Sequence, residues 1–319
     1  MRPRHRASVS SRPHVGMMTL MKGSFIQAVS YQSAESLARV QGGGIVRSSL
    51  VKLPEEREDP EWSRLRTHDV EELWNHSIRP HVASSYAARM DTLSDLISRL
   101  AGPEGRVLDV GCAQGTLGLG LAEKHDRLQV TLLDVRPGNI EYARARHEHG
   151  EVEFLSGLLG ADLPPRSDYD VVVCTEVLEH VPEPGRFLGE LAQKARPGGA
   201  LCFTTPNADY LLSKLPSFGR AQQDTIDATE TNSLDGDAHR FLYSREELIA
   251  LARGVGLKIE AHGFFLPLWL EGHVQTRHLH RLFYRLRGKI IRLPASFLQG
   301  RGPLARRLCS SQWLVARRG

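Results

Sequence analysis

Val107-Leu108-Asp109-Val110-Gly111-Cys112-Ala113-Gln114-Gly115-Thr116-Leu117-Gly118 is the stretch on which the reading of this chain turns. A short apolar run ends in an acid. The chain then becomes rich in small residues, and a helix-like pattern begins at Leu117, Leu119, Leu121 and Ala122. The pattern predicts a strand, a tight loop and a helix N-terminus. Glycine and alanine in such a loop permit sharp turns and let the backbone come close to a ligand. A loop of this kind occurs in many α/β proteins, so the residues that follow carry the argument.

A second apolar run, Gln129 to Leu133, ends in Asp134. Asp134 follows Gly111 at roughly the 20-residue spacing at which a dinucleotide-type unit presents a carboxylate to a ribose diol. Together these residues resemble the class I S-adenosylmethionine-dependent methyltransferases. The resemblance implies a Rossmann-like α/β fold: a seven-stranded, mostly parallel sheet with helices on both faces and an antiparallel last strand. It implies that Asp109, Gly111, Ala113 and Gly115 wrap the methionine end of the cofactor and that Asp134, with Val135 beside it, holds the ribose. Ala113 departs from the family's usual glycine.

Strand and helix patterns alternate from residue 104 to 207. Strands are expected at Arg106–Val110, Gln129–Asp134, Val152–Leu155, Asp170–Cys174 and Ala200–Thr204, with helices at 116–124, 137–147 and 186–195. Alternation of this kind implies a parallel sheet. Ligands of such sheets bind at the carboxyl ends of the strands, where strand order reverses. Asp109, Gly111, Asp134 and Glu176 fall at those ends. After the third strand Gly157-Leu158-Leu159 stands where many relatives place an acid for the adenine, and Asp162 comes later. The resemblance leaves Leu158 either to pack on the adenine or to donate its backbone N–H.

Glu176-Val177-Leu178-Glu179-His180 follows the fourth strand and resembles the ubiquinone-biosynthesis O-methyltransferase group. Thr204-Thr205-Pro206-Asn207 and His239-Arg240-Phe241-Leu242-Tyr243-Ser244 strengthen that likeness. At i, i+3 and i+4, Glu176, Glu179 and His180 share a face if they lie on one helical turn. Two carboxylates and an imidazole, with His239 as a fourth donor, suit a hard ion such as Mg²⁺ that would bind a substrate hydroxyl. Without a metal, His180 or His239 can act as general base. A purely supporting role, with Glu176 orienting the cofactor and Glu179 capping a loop, is the third reading. Met90, Leu93, Leu96, Ile97 and Leu100 recur at helical spacing and predict a helix over 86–100; the resemblance implies that it covers the cofactor and, with Trp74, His76, His81 and Tyr86 as candidates, forms the substrate mouth.

The flanks differ from the core. Residues 1 to 52 hold eight Lys and Arg against Glu35 alone, and residues 272 to 319 hold eleven with no acid. The whole chain has a net charge of +4, so its middle is strongly acidic. Residues 1–65 read as an irregular, weakly ordered tail. Its Arg- and Ser-rich, acid-poor start has the composition of a mitochondrial transit peptide; alternatively the true start is Met17, Met18 or Met21. Residues 66–319 read as the catalytic domain, with a short helix at Asp69–Asn75 and an insertion at about 266–308. Within the insertion, 277–293 form a basic amphipathic helix, suited to an anionic membrane surface or to packing with its basic face in solvent. Cys112, Cys174, Cys202 and Cys309 are widely spaced, which fits a reducing compartment such as the cytoplasm. No apolar run approaches the roughly 20 residues that cross a bilayer.

The expected function is transfer of a methyl group from S-adenosylmethionine to a hydroxyl of a small molecule, a lipid- or quinone-like acceptor or a glycan. A 2′-O-methyltransferase acting on RNA ends shares the Glu-Glu-His pattern, but no RNA-binding module and no basic stripe interleaved with aromatics occurs in the core. A cofactor-binding partner protein without catalysis is the alternative from another class.

Overall fold

Alternate residues of the strands face opposite ways, and their apolar side chains divide into two cores. Leu108, Val110, Leu133, Val172 and Leu201 pack on one face of the sheet with Leu188, Leu191 and Leu248. Val107, Val130, Leu132, Val171 and Val173 pack on the other with Leu93, Ile97, Leu117 and Leu121. Apolar side chains on both faces of the same strands are the signature of a sheet covered by helices on both sides. The computed structural model describes residues 52–70, 80–160, 166–223, 241–267 and 302–319.

The described elements are α1 (Pro60–Asp69), α2 (Pro80–Ala101), β1 (Arg106–Val110), α3 (Thr116–Lys124), β2 (Gln129–Asp134), α4 (Pro137–Arg146), β3 (Glu151–Ser156) and β4 (Tyr169–Thr175). A 3₁₀ turn (Leu178–His180) then leads to α5 (Pro184–Lys194), β5 (Ala195–Pro206), α6 (Phe218–Gln223), α7 (Arg245–Gly254), β6 (Lys258–Pro267), α8 (Pro303–Leu308) and β7 (Cys309–Arg317). The seven strands lie in the order β3-β2-β1-β4-β5-β7-β6. β1 to β5 are parallel and β7 runs antiparallel between β5 and β6. This is the expected Rossmann-like sheet. The order reverses between β1 and β4, and in open α/β sheets ligands bind outside the carboxyl ends of the strands at such a point.

Several boundaries follow from named residues. Pro137 and Pro184 open α4 and α5, where a missing N–H and a fixed φ suit the first turn. Ser244 and Glu247 form the capping box of α7, each side chain meeting the other's backbone. Pro60–Asp69 is a helix, where the pattern of residues alone leaves the end of an irregular tail. Its mean hydropathy is low and only one edge of it is apolar, so periodicity does not reveal it. Asp59 caps it, accepting from the backbone N–H groups of Glu61 and Trp62, and Trp62 and Leu65 are buried. The helix expected to start at Asp69 does not start there, because Asp69 is the last residue of α1. Trp74, His76, Asp162, His239 and the 277–293 segment lie outside the described residues. Among the described residues no helix is long and apolar enough to cross a membrane.

Candidate active site

The loop between β1 and α3 needs left-handed backbone three times: Gly111 at φ 72°, Ala113 at 47° and Gly115 at 74°. The N–H groups of Gly111 and Cys112 both donate to the Leu133 carbonyl, at 2.8 and 3.2 Å, so the loop is laced to the end of β2. Gly111 has no room for a side chain. A Cβ there would stand 2.4 Å from Cγ2 of Val177, on the loop after β4. Gly115 is equally enclosed, with Ala143 and Leu132 each 2.9 Å from where its Cβ would be. The two glycines therefore let three strand ends close around one spot.

Asp134 lies at the end of β2, with its carboxylate at the foot of this loop. Oδ2 accepts from the backbone N–H of Ala113 at 2.9 Å. Oδ1 accepts from the N–H of Arg136 at 2.9 Å and from Nδ2 of Asn139 at 3.0 Å. Three of about four acceptor positions on a carboxylate are thus used by the protein. Asp109 sits deeper. It is buried at the end of β1, takes a hydrogen bond from the Gly118 backbone, and faces the Asp134 charge. Burial first, and Asp134 second, push its carboxyl up to about 7. It is closed off from solvent against the first turn of α3. Val135 and Leu158 are not: they follow β2 and β3 and are 43% and 60% exposed.

At the end of β4 the chain departs from the expected single helical turn. Glu176 is left-handed at φ 53°, and only Leu178–His180 form a turn, of 3₁₀ type. The i, i+3, i+4 face therefore does not exist as such. Thr204 Oγ1 donates to Glu176 Oε1 at 2.8 Å, and Arg89 lies 3.8 Å from Oε2. Glu179 is 2% exposed and accepts from Thr205 Oγ1 at 3.1 Å. Burial, reinforced by the Glu176 carboxylate, pushes its carboxyl well above the ordinary glutamate range. His180 is half-buried on the same turn. Among the described residues, no three His, Cys, Asp or Glu side chains gather as a metal site. Of the expected Glu176–Glu179–His180–His239 set, His239 lies outside the described residues, and the two carboxylates meet threonine hydroxyls and an arginine.

A family model described as a methyltransferase domain matches residues 86–262, more than half of the chain. The chain belongs to this methyltransferase family. It is 33% identical over 165 residues to a ubiquinone biosynthesis O-methyltransferase of Alkalilimnicola ehrlichii, a match covering 47% of this chain and 66% of the relative. To the mitochondrial ubiquinone biosynthesis O-methyltransferase of Schizosaccharomyces pombe it is 35% identical over 116 residues, covering 34% and 41%. The chain thus matches less than two thirds of the length of these relatives. A magnesium protoporphyrin IX methyltransferase from Synechocystis, solved with bound SAH, shares 15% identity at a TM-score of 0.49, covering 81% of this chain and 93% of that one.

In this member of the methyltransferase family Asp109, Gly111, Ala113, Gly115, Asp134 and Val135 come together around the ends of β1 and β2, and Leu158 follows the neighbouring β3. Glu176, Glu179 and His180 follow β4, on the other side of β1. Three partners were not legible as site residues. Arg89 reaches Glu176 from α2, where nothing in its spacing marks it. Asn139 and Arg146 come from α4, one bonded to Asp134 and the other to the loop itself. A short polar side chain in the first turn of the helix after an acid is the one signal that points to Asn139.

Proposed function

We propose that this protein transfers a methyl group from S-adenosylmethionine to a hydroxyl of a quinone-like small molecule. The observation that carries the reading is the Asp134 carboxylate at the end of β2, seated against the N–H of Ala113 in the loop after β1, the strand beside which the sheet order reverses. The acceptor class is inferred from the curated relatives, which are named for O-methylation in ubiquinone biosynthesis.

When bound, S-adenosylmethionine supplies an electrophilic methyl group, so the protein has to align the acceptor, exclude water and accept one proton. Methyl transfer to a hydroxyl would require the acceptor oxygen to give up its proton as it takes the methyl group from sulfur, with S-adenosylhomocysteine as the other product. Asp134 retains one acceptor position for a ribose hydroxyl. Val135 and Leu158 offer apolar surface to the adenine. On the acceptor side, a histidine takes the proton: His180 on the turn after β4, or His239. Glu179, buried and favouring its protonated form, positions that turn through Thr205. Magnesium is assigned no step.

The test is methyl transfer itself. The full chain is incubated with labelled S-adenosylmethionine, catechol or polyprenyl-phenol acceptors, and bulk RNA and protein from a cell extract, and the products are separated. Label in an ether-linked methyl group is expected; label confined to RNA or protein fractions would overturn the acceptor class.

A further inference from the structure

We infer that residues 52–70, which precede the 86–262 family match, are a working part of the cofactor site. On this reading the buried pair Asp69 and Arg146 acts as the positioning device for the β1–α3 loop. The inference rests on the methyltransferase reading above and concerns how the site is held.

α1 packs against α4. Trp62 meets Tyr142 edge-on with ring centroids 4.9 Å apart, and Arg57 lies over the Trp62 ring at 3.8 Å. In the first turns the Glu61 carboxylate lies against Gly138, 2.9 Å from where a Cβ would stand. At the far end Tyr142 donates its hydroxyl to Asp69 at 2.9 Å, and Arg146 pairs with Asp69 at 3.3 Å. Arg146 is 1% exposed, so its charge requires that acid.

The guanidinium does not end at Asp69. Its Nη1 donates to the Gln114 carbonyl and to Thr116 Oγ1, both at 2.8 Å. A second strut runs from Gln114 Nε2 to Nδ1 of His68, 2.9 Å away on α1. Gln114 stands between Ala113 and Gly115, two of the loop's three left-handed residues. The loop is thus gripped twice: from the sheet by Asp134 at the Ala113 N–H, and from outside by Arg146 at the next carbonyl. Charge-assisted bonds in a buried site hold geometry better than neutral ones. With Asp69 and Arg146 in place, the loop is preorganised before the cofactor arrives, which favours binding.

Two variants and two readouts separate positioning from folding. Asp69→Leu/Arg146→Met replaces the pair by apolar side chains, a change often tolerated at buried ion pairs. It keeps α1 packed and removes the bonds to Gln114 and Thr116. Calorimetry with S-adenosylhomocysteine is run beside thermal unfolding. The double variant is expected to unfold near the native midpoint yet bind about tenfold more weakly, within the range that packed networks transmit to a ligand they do not touch. Hydrogen exchange at 114–117 should quicken in parallel. Native-like affinity in this variant overturns the inference. If it does not fold, Thr116→Val removes one arm of Arg146 and is read the same way: weaker binding supports the inference, and unchanged binding overturns it. Absence of binding by the native chain would instead defeat the methyltransferase reading, and this inference with it.

Discussion

Oδ2 of Asp134 accepts a 2.9 Å hydrogen bond from the backbone N–H of Ala113, joining the end of β2 to the loop after β1. One carboxylate therefore shapes the loop and, on the proposed reading, also holds the ribose. Asp134→Ala should lose on both counts. The loss of bonds to a charged acceptor costs about 1.5–3 kcal/mol each where no substitute forms. Expected are a marked drop in urea-unfolding midpoint and a fall of at least about tenfold in S-adenosylhomocysteine affinity. A variant that keeps native affinity would mean that the sugar is held elsewhere.

Ala113 is a natural place to stabilise the protein. An L-residue other than glycine held in the left-handed region costs about 1–2 kcal/mol, and Ala113 sits there at φ 47°. Ala113→Gly relieves the strain, offset in part by the greater freedom of glycine in the unfolded chain. The expected net gain is about 0.5–1 kcal/mol in chemical denaturation. Cofactor affinity should be retained, because the N–H that Asp134 accepts is unchanged. A destabilised variant would show that the methyl group packs usefully.

The same loop shows what the residues alone reveal and what they do not. The strands were legible because their apolar residues are continuous, and Asp134 because it closes such a run at a telling distance from Gly111. The shared helical face expected of Glu176, Glu179 and His180 is absent for a physical reason. The i, i+3, i+4 argument presupposes a helix, and the chain instead enters a left-handed residue and a 3₁₀ turn. Asp69 and Arg146 were invisible because a contact spanning 77 positions leaves no periodic trace, and α1 has little amphipathic pattern. Thr204 and Thr205 were seen only as part of a family motif; their roles as donors to Glu176 and Glu179 came from the pairing of β4 with β5.

Asp109 sets a pH dependence of definite sign. Its carboxyl lies at about 7 in the folded protein, against 3.8 in an unfolded chain. Between those values the folded state holds a proton that the unfolded state has released. Stability from this group is fully present below about pH 4, falls as pH rises towards 7, and is flat above. The slope is at most about 1.4 kcal/mol per pH unit. Asp109→Asn removes it. Urea unfolding of both proteins across this range should therefore give curves whose difference favours the variant increasingly up to neutral pH. Parallel curves would contradict a raised Asp109.

His180 and the chelator test belong together. If His180 takes the acceptor proton, His180→Ala should lower kcat by about 10²–10⁴ and leave S-adenosylhomocysteine affinity near native. The same loss should follow from His239→Ala if that residue is the base. Activity should survive dialysis against EDTA, because the carboxylates after β4 face Thr204, Thr205 and Arg89. Abolition by EDTA with recovery on added Mg²⁺ would restore the metal reading that the described geometry does not support.

Gly111 and Val177 give a test of how closely the two loops must approach. Gly111→Ala adds a methyl group 2.4 Å from Val177 Cγ2 and does so at φ 72°. The backbone strain costs about 1–2 kcal/mol, and overpacking adds about 1–3 kcal/mol. Val177→Ala alone removes one apolar contact beside the core and should cost about 1 kcal/mol. Combined, the two should cost less than their sum, since the shorter side chain gives the new methyl group room while the φ strain remains. A double-mutant cycle in urea should thus return a favourable coupling of roughly 1–2 kcal/mol. S-adenosylhomocysteine binding should recover in the same order. Strict additivity would mean that the loops separate freely, and that Gly111 is required for its backbone angle alone.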